Sequence, residues 1–151
     1  VVTCQSVTAI LLFINNTPVR WHSKKQRTVE TSTYGAELVA ARIATDMIIE
    51  MRFILCMLGV PVDGPALLLG DNNSVVLNTS VPSSILKKKQ HACAYHRVRE
   101  AIAGGIINFV HIKGITNYAD MLSKPLSNDT FHGLIKPLLF RVPKTGREKE
   151  G

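Results

Sequence analysis

The sequence predicts an α/β fold in which helices cover a mixed β-sheet. Two strand-like runs come first, and the later strand-like runs alternate with helical patterns, which is the order typical of such a fold. A length of 151 residues with 46% hydrophobic and 19% charged residues indicates one globular domain rather than a disordered chain. The apolar stretches are far shorter than the ~20 residues that cross a bilayer, so no transmembrane helix is expected.

The first half of the chain predicts a β-hairpin followed by one long helix. Residues 6–14 and 18–24 flank Asn15-Asn16-Thr17, and asparagine tolerates the positive φ of a tight hairpin turn. From Thr31 the apolar residues recur every three or four positions, which predicts a helix that ends at Gly59. Two apolar rows along this helix indicate burial over most of its circumference.

The second half predicts one buried strand, one further strand and several helices. Residues 66–69 form a short apolar run, typical of a strand buried on both faces. Asp71 follows it directly, and Asn72 can cap a short helix. The remaining elements are expected to be a helix at 88–103, a strand at 106–112, and helices at 117–123 and 128–140. We expect one domain at 1–140 and a disordered basic tail at 141–151.

The charge is strongly basic and unevenly distributed. Eighteen Lys and Arg residues outnumber eleven Asp and Glu residues, and residues 1–29 contain no acid. Clusters of cations suit a polyanion such as nucleic acid, because each neutralised phosphate releases counterions. A solvated surface that keeps the protein soluble explains the same charge equally well.

Three cysteines without a Cys-x-x-Cys pair predict a reducing compartment rather than a disulfide framework or a zinc site. The chain opens Val1-Val2-Thr3, with neither an initiator methionine nor a signal peptide. We therefore expect it to be a piece of a longer polypeptide.

Three of the acids lie at sequence positions that are typical of a functional site. Glu37 is among small residues in the first turns of the long helix, Asp71 ends a buried strand, and Asp120 starts a helix after the last strand. Ligand sites of α/β sheets gather beyond the carboxyl ends of strands, and carboxylates suit Mg²⁺ or Mn²⁺. Each acid also has a purely structural explanation, since acids favour helix N-termini and Asp71 could cap the next helix.

Five blocks of sequence resemble the ribonuclease H domain of copia-type retrotransposon Pol polyproteins. They are WHSKKQRTV at 21–29, STYGAEL at 32–38, GDN at 70–72, YHRVRE at 95–100 and NYADMLSKPL at 117–126. The resemblance covers about residues 5–140, and several blocks in the same order are more specific than any one short motif.

The resemblance implies a five-stranded mixed sheet and hydrolysis of the RNA strand of RNA–DNA hybrids during reverse transcription. The family uses four acids to hold two Mg²⁺ or Mn²⁺ ions, about 4 Å apart, that clamp a phosphodiester. Glu37, Asp71 and Asp120 match the second, third and fourth acids. The first acid is missing from residues 1–29, and so is the central first strand that carries it. We therefore expect this chain to be poorly folded or to aggregate by itself, unless another segment fills the gap, and to be inactive even if it folds.

The clustering of cations suggests which residues contact the hybrid, and the resemblance suggests which partners are present. The nucleic-acid-binding candidates are Lys24, Lys25, Arg27, Lys87, Lys88, Lys89 and His96. His91 is a weaker candidate, and His111 is interpreted as an ordinary strand residue. The expected partners are the hybrid and an upstream reverse transcriptase domain of the same polyprotein, with no membrane, in a cytoplasmic virus-like particle or the nucleus.

Two other functions compete with this interpretation. The chain could be a non-catalytic remnant that binds nucleic acid or packs against a reverse transcriptase, and its basic charge fits this equally well. An integrase or transposase core of similar fold needs a glutamate on the last helix, whereas this sequence has Asp120 there and Glu37 on the first long helix.

Overall fold

A computed structural model describes residues 5–27, 32–86 and 88–139. Its strands are β1 Val7–Ile14, β2 Thr17–Lys25, β3 Ala66–Gly70 and β4 Ile107–His111. Its α-helices are α1 Thr33–Met57, α2 Asn73–Ser80, α3 Ala92–Ala103, α4 Asp120–Ser123 and α5 Asn128–Ile135. Small sheets flanked by helices confirm the predicted α/β class. Cys4, Lys87 and the expected tail at 141–151 lie outside the described residues.

The predicted hairpin is confirmed. β1 and β2 pair antiparallel, and Asn15 in the turn has the positive φ of 55° that the sequence suggested. The side chains of Thr8 and Ile10 are buried. They lie on the face of β1 that packs against α1, because alternate residues of a strand point to opposite faces. The hairpin is therefore held to the long helix by one of its two faces.

The other two strands form a separate parallel pair. Ala66 pairs with Ile107 and Gly70 with His111, so β3 and β4 end at the same edge. Each sheet has two strands within the described residues, and β1 and β3 are not paired with each other. Helix α1 packs against both β1 and β3, and residues from both sheets belong to one hydrophobic core.

Helix α1 starts and stops where the sequence predicted, but its burial differs from the prediction. Ser32 caps its N-terminus by accepting a hydrogen bond from the Gly35 backbone N–H, and Gly59 follows its end with a φ of 74°. Its buried residues all lie between positions 35 and 48. Phe53 and Met57 are 65% and 72% exposed, so burial over most of the circumference is wrong for the last three turns. The sheets and the other helices cover only the first part of α1.

The expectation that β3 is buried on both faces is also wrong. Leu68 is buried, whereas Leu67 is 60% exposed and Leu69 is exposed as well. The reason is that α1 packs on the face that carries Leu68, and no element among the described residues covers the opposite face. An apolar run therefore identified the strand but not the number of its covered faces.

No helix in the described part of the chain is long and apolar enough to cross a membrane. Cys56 and Cys93 are both exposed and free, so neither forms a disulfide.

Candidate active site

Glu37 lies in the second turn of α1, where the end of β2 meets the helix. The buried amide of Gln26 donates hydrogen bonds from Nε2 to Thr8 Oγ1 at 2.9 Å and to the Ala36 backbone oxygen at 2.8 Å. These bonds tie both strands of the hairpin to the turn that carries Glu37. The Glu37 carboxylate is at the surface, among protein atoms that limit its hydration.

Asp71 follows β3 at the edge where β3 and β4 both end. A side chain at Gly70 would place its Cβ 2.8 Å from the buried Phe109 ring, so glycine permits the close packing that precedes Asp71. Asn72 caps α2 by accepting a hydrogen bond from the Val75 backbone N–H. His111, at the end of β4, has its Nε2 3.1 Å from the Asp71 backbone oxygen. Asp71 is thus fixed by the strand before it and the helix after it.

Asp120 opens the short helix α4, which packs against the hairpin. Ser23 Oγ donates a hydrogen bond to the Leu122 backbone oxygen at 2.7 Å, which links β2 to this helix. Lys124 Nζ lies 2.9 Å from Asp120 Oδ2, and the Asp120 side chain is only 17% exposed. The carboxylate of Asp120 is therefore mostly buried and ion-paired with the ammonium group of Lys124.

Asp71 and Asp120 lie close enough to Glu37 to influence its carboxylate electrostatically. The pKa of Glu37 is raised above its ordinary value, first by loss of hydration and then by the charges of Asp71 and Asp120, while Lys124 lowers it. The pKa of Lys124 is raised by its hydrogen bond to Asp120 and, more weakly, by the charges of all three acids. The acids that the sequence singled out thus share one local field, with Lys124 as their counter-charge.

The carboxylate oxygens of these acids suit a hard divalent ion, but the three side chains are too far apart to bind one ion together. Among the residues that the structure describes, no three His, Cys, Asp or Glu side chains converge closely enough to hold a metal ion. Glu37, Asp71 and Asp120 are therefore electrostatic neighbours that would have to move closer together to share an ion.

The cationic candidates fall into two clusters beside the start of α1. Lys24, Lys25 and Arg27 are exposed and flank Gln26, which bonds to Ala36. Lys24 and Lys25 point to opposite faces of β2 because strand side chains alternate. We call these three residues the hairpin cluster.

The second cluster consists of the exposed residues Lys88, Lys89 and His96, with Lys87 outside the described residues. It lies where a 3-10 turn, Lys89–His91, leads into α3. The proposed contact of His91 with nucleic acid is wrong, because this residue is only 3% exposed and its ring lies 6.0 Å from the Tyr34 ring. That ring contact places the second cluster beside the first turn of α1, on which Tyr34 lies.

Three residues near the acids were not predicted from the sequence. His111 could have been found from strand register, because β3 and β4 are parallel and end together. Lys124 could have been found from its spacing, since Asp120 and Lys124 are four residues apart on a helical pattern. Nothing in the sequence distinguishes Gln26 from an ordinary exposed amide within a basic run.

Comparisons with known proteins place transposon Pol polyproteins among the relatives of the chain. The chain is 29% identical over 142 residues to the retrovirus-related Pol polyprotein from transposon RE1 of Arabidopsis thaliana. It is 26% identical over 139 residues to the corresponding polyprotein from transposon RE2 of the same plant. The chain is similar to a segment of transposon Pol polyproteins. The aligned segment covers 91% of the chain but only 10% of the length of either relative.

No protein-family model matches the chain, and no solved structure matches it. The similarity therefore supports a Pol polyprotein segment, without naming the domain that the segment forms.

The raised pKa of Glu37 predicts a specific pH dependence of stability. The folded state favours protonated Glu37, so this residue stabilises the fold most below its ordinary pKa of 4.5, and that stabilisation is lost as pH rises through the higher folded value. Glu37→Gln should therefore be more stable than the natural chain at pH 7, and the difference should vanish below pH 4.5. Urea denaturation of monomeric protein at both pH values measures this, and a Glu37→Gln chain less stable at pH 7 would contradict it.

Proposed function

We propose that this chain is part of the ribonuclease H domain of a retrotransposon Pol polyprotein, which hydrolyses the RNA strand of RNA–DNA hybrids during reverse transcription. The observation that supports this most is the shared electrostatic field of Glu37, Asp71 and Asp120, since these are the acids that the family resemblance requires. The similarity to transposon Pol polyproteins supports the same context.

In this proposal the three acids bind Mg²⁺ or Mn²⁺ in a domain that also contains the family's first acid. Carboxylate oxygens are the ligands that these hard ions prefer. Because the three described acids do not converge on one point, metal-dependent hydrolysis is a property of the completed domain rather than of these residues alone. Lys124 neutralises part of the acidic charge through its ion pair with Asp120. A bound divalent ion would neutralise the same charge.

The cationic clusters are proposed to hold the sugar–phosphate backbone of the hybrid. Both clusters lie beside the first turns of α1, where Glu37 is found, so a bound backbone would pass near the acids. Lys24, Lys25 and Arg27 have no ion-pair partner among the described residues. Their charges are consequently available to phosphates.

Replacing the cations of the hairpin cluster should change the salt dependence of hybrid binding. Each phosphate contact that is lost lowers the slope of log K against log salt by about one. Lys24→Ala, Lys25→Ala and Arg27→Ala are therefore each expected to flatten the slope. Arg52→Ala is the matched control. Arg52 lies ~22 Å from Glu37 along the axis of α1, and its guanidinium donates a hydrogen bond to the Gly64 backbone oxygen.

Fluorescence anisotropy of a labelled hybrid, recorded over a series of salt concentrations, measures these slopes. Slopes that equal that of the natural chain would remove the hairpin cluster from the interface.

A non-catalytic module that binds nucleic acid is the second candidate. It is favoured by the separation of the three described acids. Extending the chain upstream to include a strand with an aspartate separates the two functions. Mg²⁺-dependent cutting of a labelled hybrid by the extended protein supports the nuclease, whereas hybrid binding without cutting supports the binding module.

A further inference from the structure

Trp21 is the chain's single tryptophan, and it is 70% exposed in the middle of β2. It pairs with Leu11 of β1, and strand alternation puts its side chain on the same face as those of Ser23 and Lys25. Its indole presents a large flat apolar surface to solvent. Single exposed apolar side chains are common on protein surfaces, so the surroundings of Trp21 decide whether a ligand is indicated.

The Trp21 face of the hairpin is the face that meets α4. Ser23 is bonded to the Leu122 backbone oxygen there, and the Phe13 and Tyr118 rings lie 6.3 Å apart. Helix α4 begins at Asp120, so the Trp21 face adjoins the candidate active site. The opposite face of β2 carries Arg20, which is ion-paired with Glu50 of α1.

The charge on this face selects the kind of ligand. Strand β2 contains no acid, and Lys25 is exposed on the Trp21 face with no ion-pair partner in the described ranges. An aromatic ring and an ammonium group separated by ~13 Å of strand match a polymer that alternates flat bases with phosphates. A paired hybrid hides its base faces within the stack except at its two ends, so elsewhere only an unpaired nucleotide presents one.

We propose that Trp21 stacks on an unpaired base of a single-stranded DNA or RNA segment that adjoins the hybrid, while Lys25 contacts a phosphate at the junction where the hybrid continues into that segment. This rests on the proposed function, because the hybrid brings the segment to this face. Stacking of this kind tolerates any base, since every base has a flat face. Removal of the ring typically weakens single-strand binding by roughly 5- to 150-fold.

Tryptophan fluorescence tests the proposal directly, because all of the signal comes from Trp21. The 151-residue chain, once circular dichroism shows that it is folded, is titrated with a blunt hybrid, with the same hybrid carrying a single-stranded tail, and with the tail alone. The tailed hybrid and the tail are expected to quench the emission in parallel with the binding measured by anisotropy of the labelled strand. The blunt hybrid should bind with little quenching.

Substitutions then identify the contact. Trp21→Ala should weaken binding of the tailed hybrid, while Trp21→Phe, which keeps an aromatic face, should retain most of it. Val19→Ala is the matched control, because Val19 is an exposed apolar residue of the same strand, two positions before Trp21. Circular dichroism checks that the variants remain folded.

Other outcomes would overturn the inference. Binding of the tailed hybrid without quenching, or equal quenching by heparin, would mean that Trp21 does not stack on bases and would leave this face to a protein partner. In that case binding of the blunt hybrid would leave the proposed function standing. Failure to bind any nucleic acid would overturn both.

Discussion

Hybrid cleavage by the completed domain should fall more than ~100-fold when Glu37, Asp71 or Asp120 is replaced by its amide, Glu37→Gln, Asp71→Asn or Asp120→Asn. Loss of a residue that merely orients a metal ligand commonly costs 10- to 100-fold, so loss of a ligand itself should cost more. The amides keep the size of each side chain but remove its charge. Initial rates on a labelled hybrid in Mg²⁺ give the comparison.

Asp63→Asn is the control for these variants. Asp63 is exposed in the turn before β3. Its charge does not contribute to the pKa shift of Glu37 or of Lys124. It should leave the rate unchanged. Retention of activity within tenfold by any of the three amide variants would remove that acid from the site. Efficient cutting by the 151-residue chain itself would show that a fourth acid is not required.

The second large effect concerns the free edge of β1. The Gln26 backbone N–H bonds to the Ser6 oxygen, so alternation directs the backbone groups of Val7, Ala9 and Leu11 away from β2. No other strand among the described residues pairs with that edge. Unpaired backbone N–H and C=O groups along a strand edge are a template for pairing with another chain. We therefore expect the purified chain to associate through this edge and to melt at a temperature that depends on concentration.

One substitution can block that edge without breaking the hairpin. Ala9→Pro removes an N–H that points away from β2, and proline is tolerated on an edge strand. Ile10→Pro is the matched control, because its N–H belongs to the ladder with β2 and its loss should disrupt the hairpin. Ala9→Pro should be more monomeric than the natural chain in sedimentation experiments. A monomeric natural chain with a cooperative melt independent of concentration would contradict this account.

The elements that local patterns determine were predictable from the sequence. The Asn15 turn, the start of α1 and the position of Asp71 after β3 follow from turn chemistry, apolar periodicity and capping, all of which act within a few residues. Burial was less predictable. The last turns of α1 and the outer face of β3 are apolar but exposed, because periodicity shows which face is apolar and not what covers it.

The candidate site depended on the family resemblance more than on spacing. Glu37 and Asp120 are 83 positions apart, and no local rule brings two such distant acids together. The roles of Gln26 and His111 were not predicted because they arise from tertiary contacts, at Ala36 and Asp71 respectively.

The central claim is that Glu37, Asp71 and Asp120 form one divalent-metal site. Paramagnetic broadening of NMR signals by Mn²⁺ in the completed domain tests it without any need for turnover. We predict that low Mn²⁺ concentrations broaden the backbone signals around these three acids together, and that Asp71→Asn reduces the broadening at the other two. Broadening confined to one acid, or scattered over the surface acids, would contradict the claim.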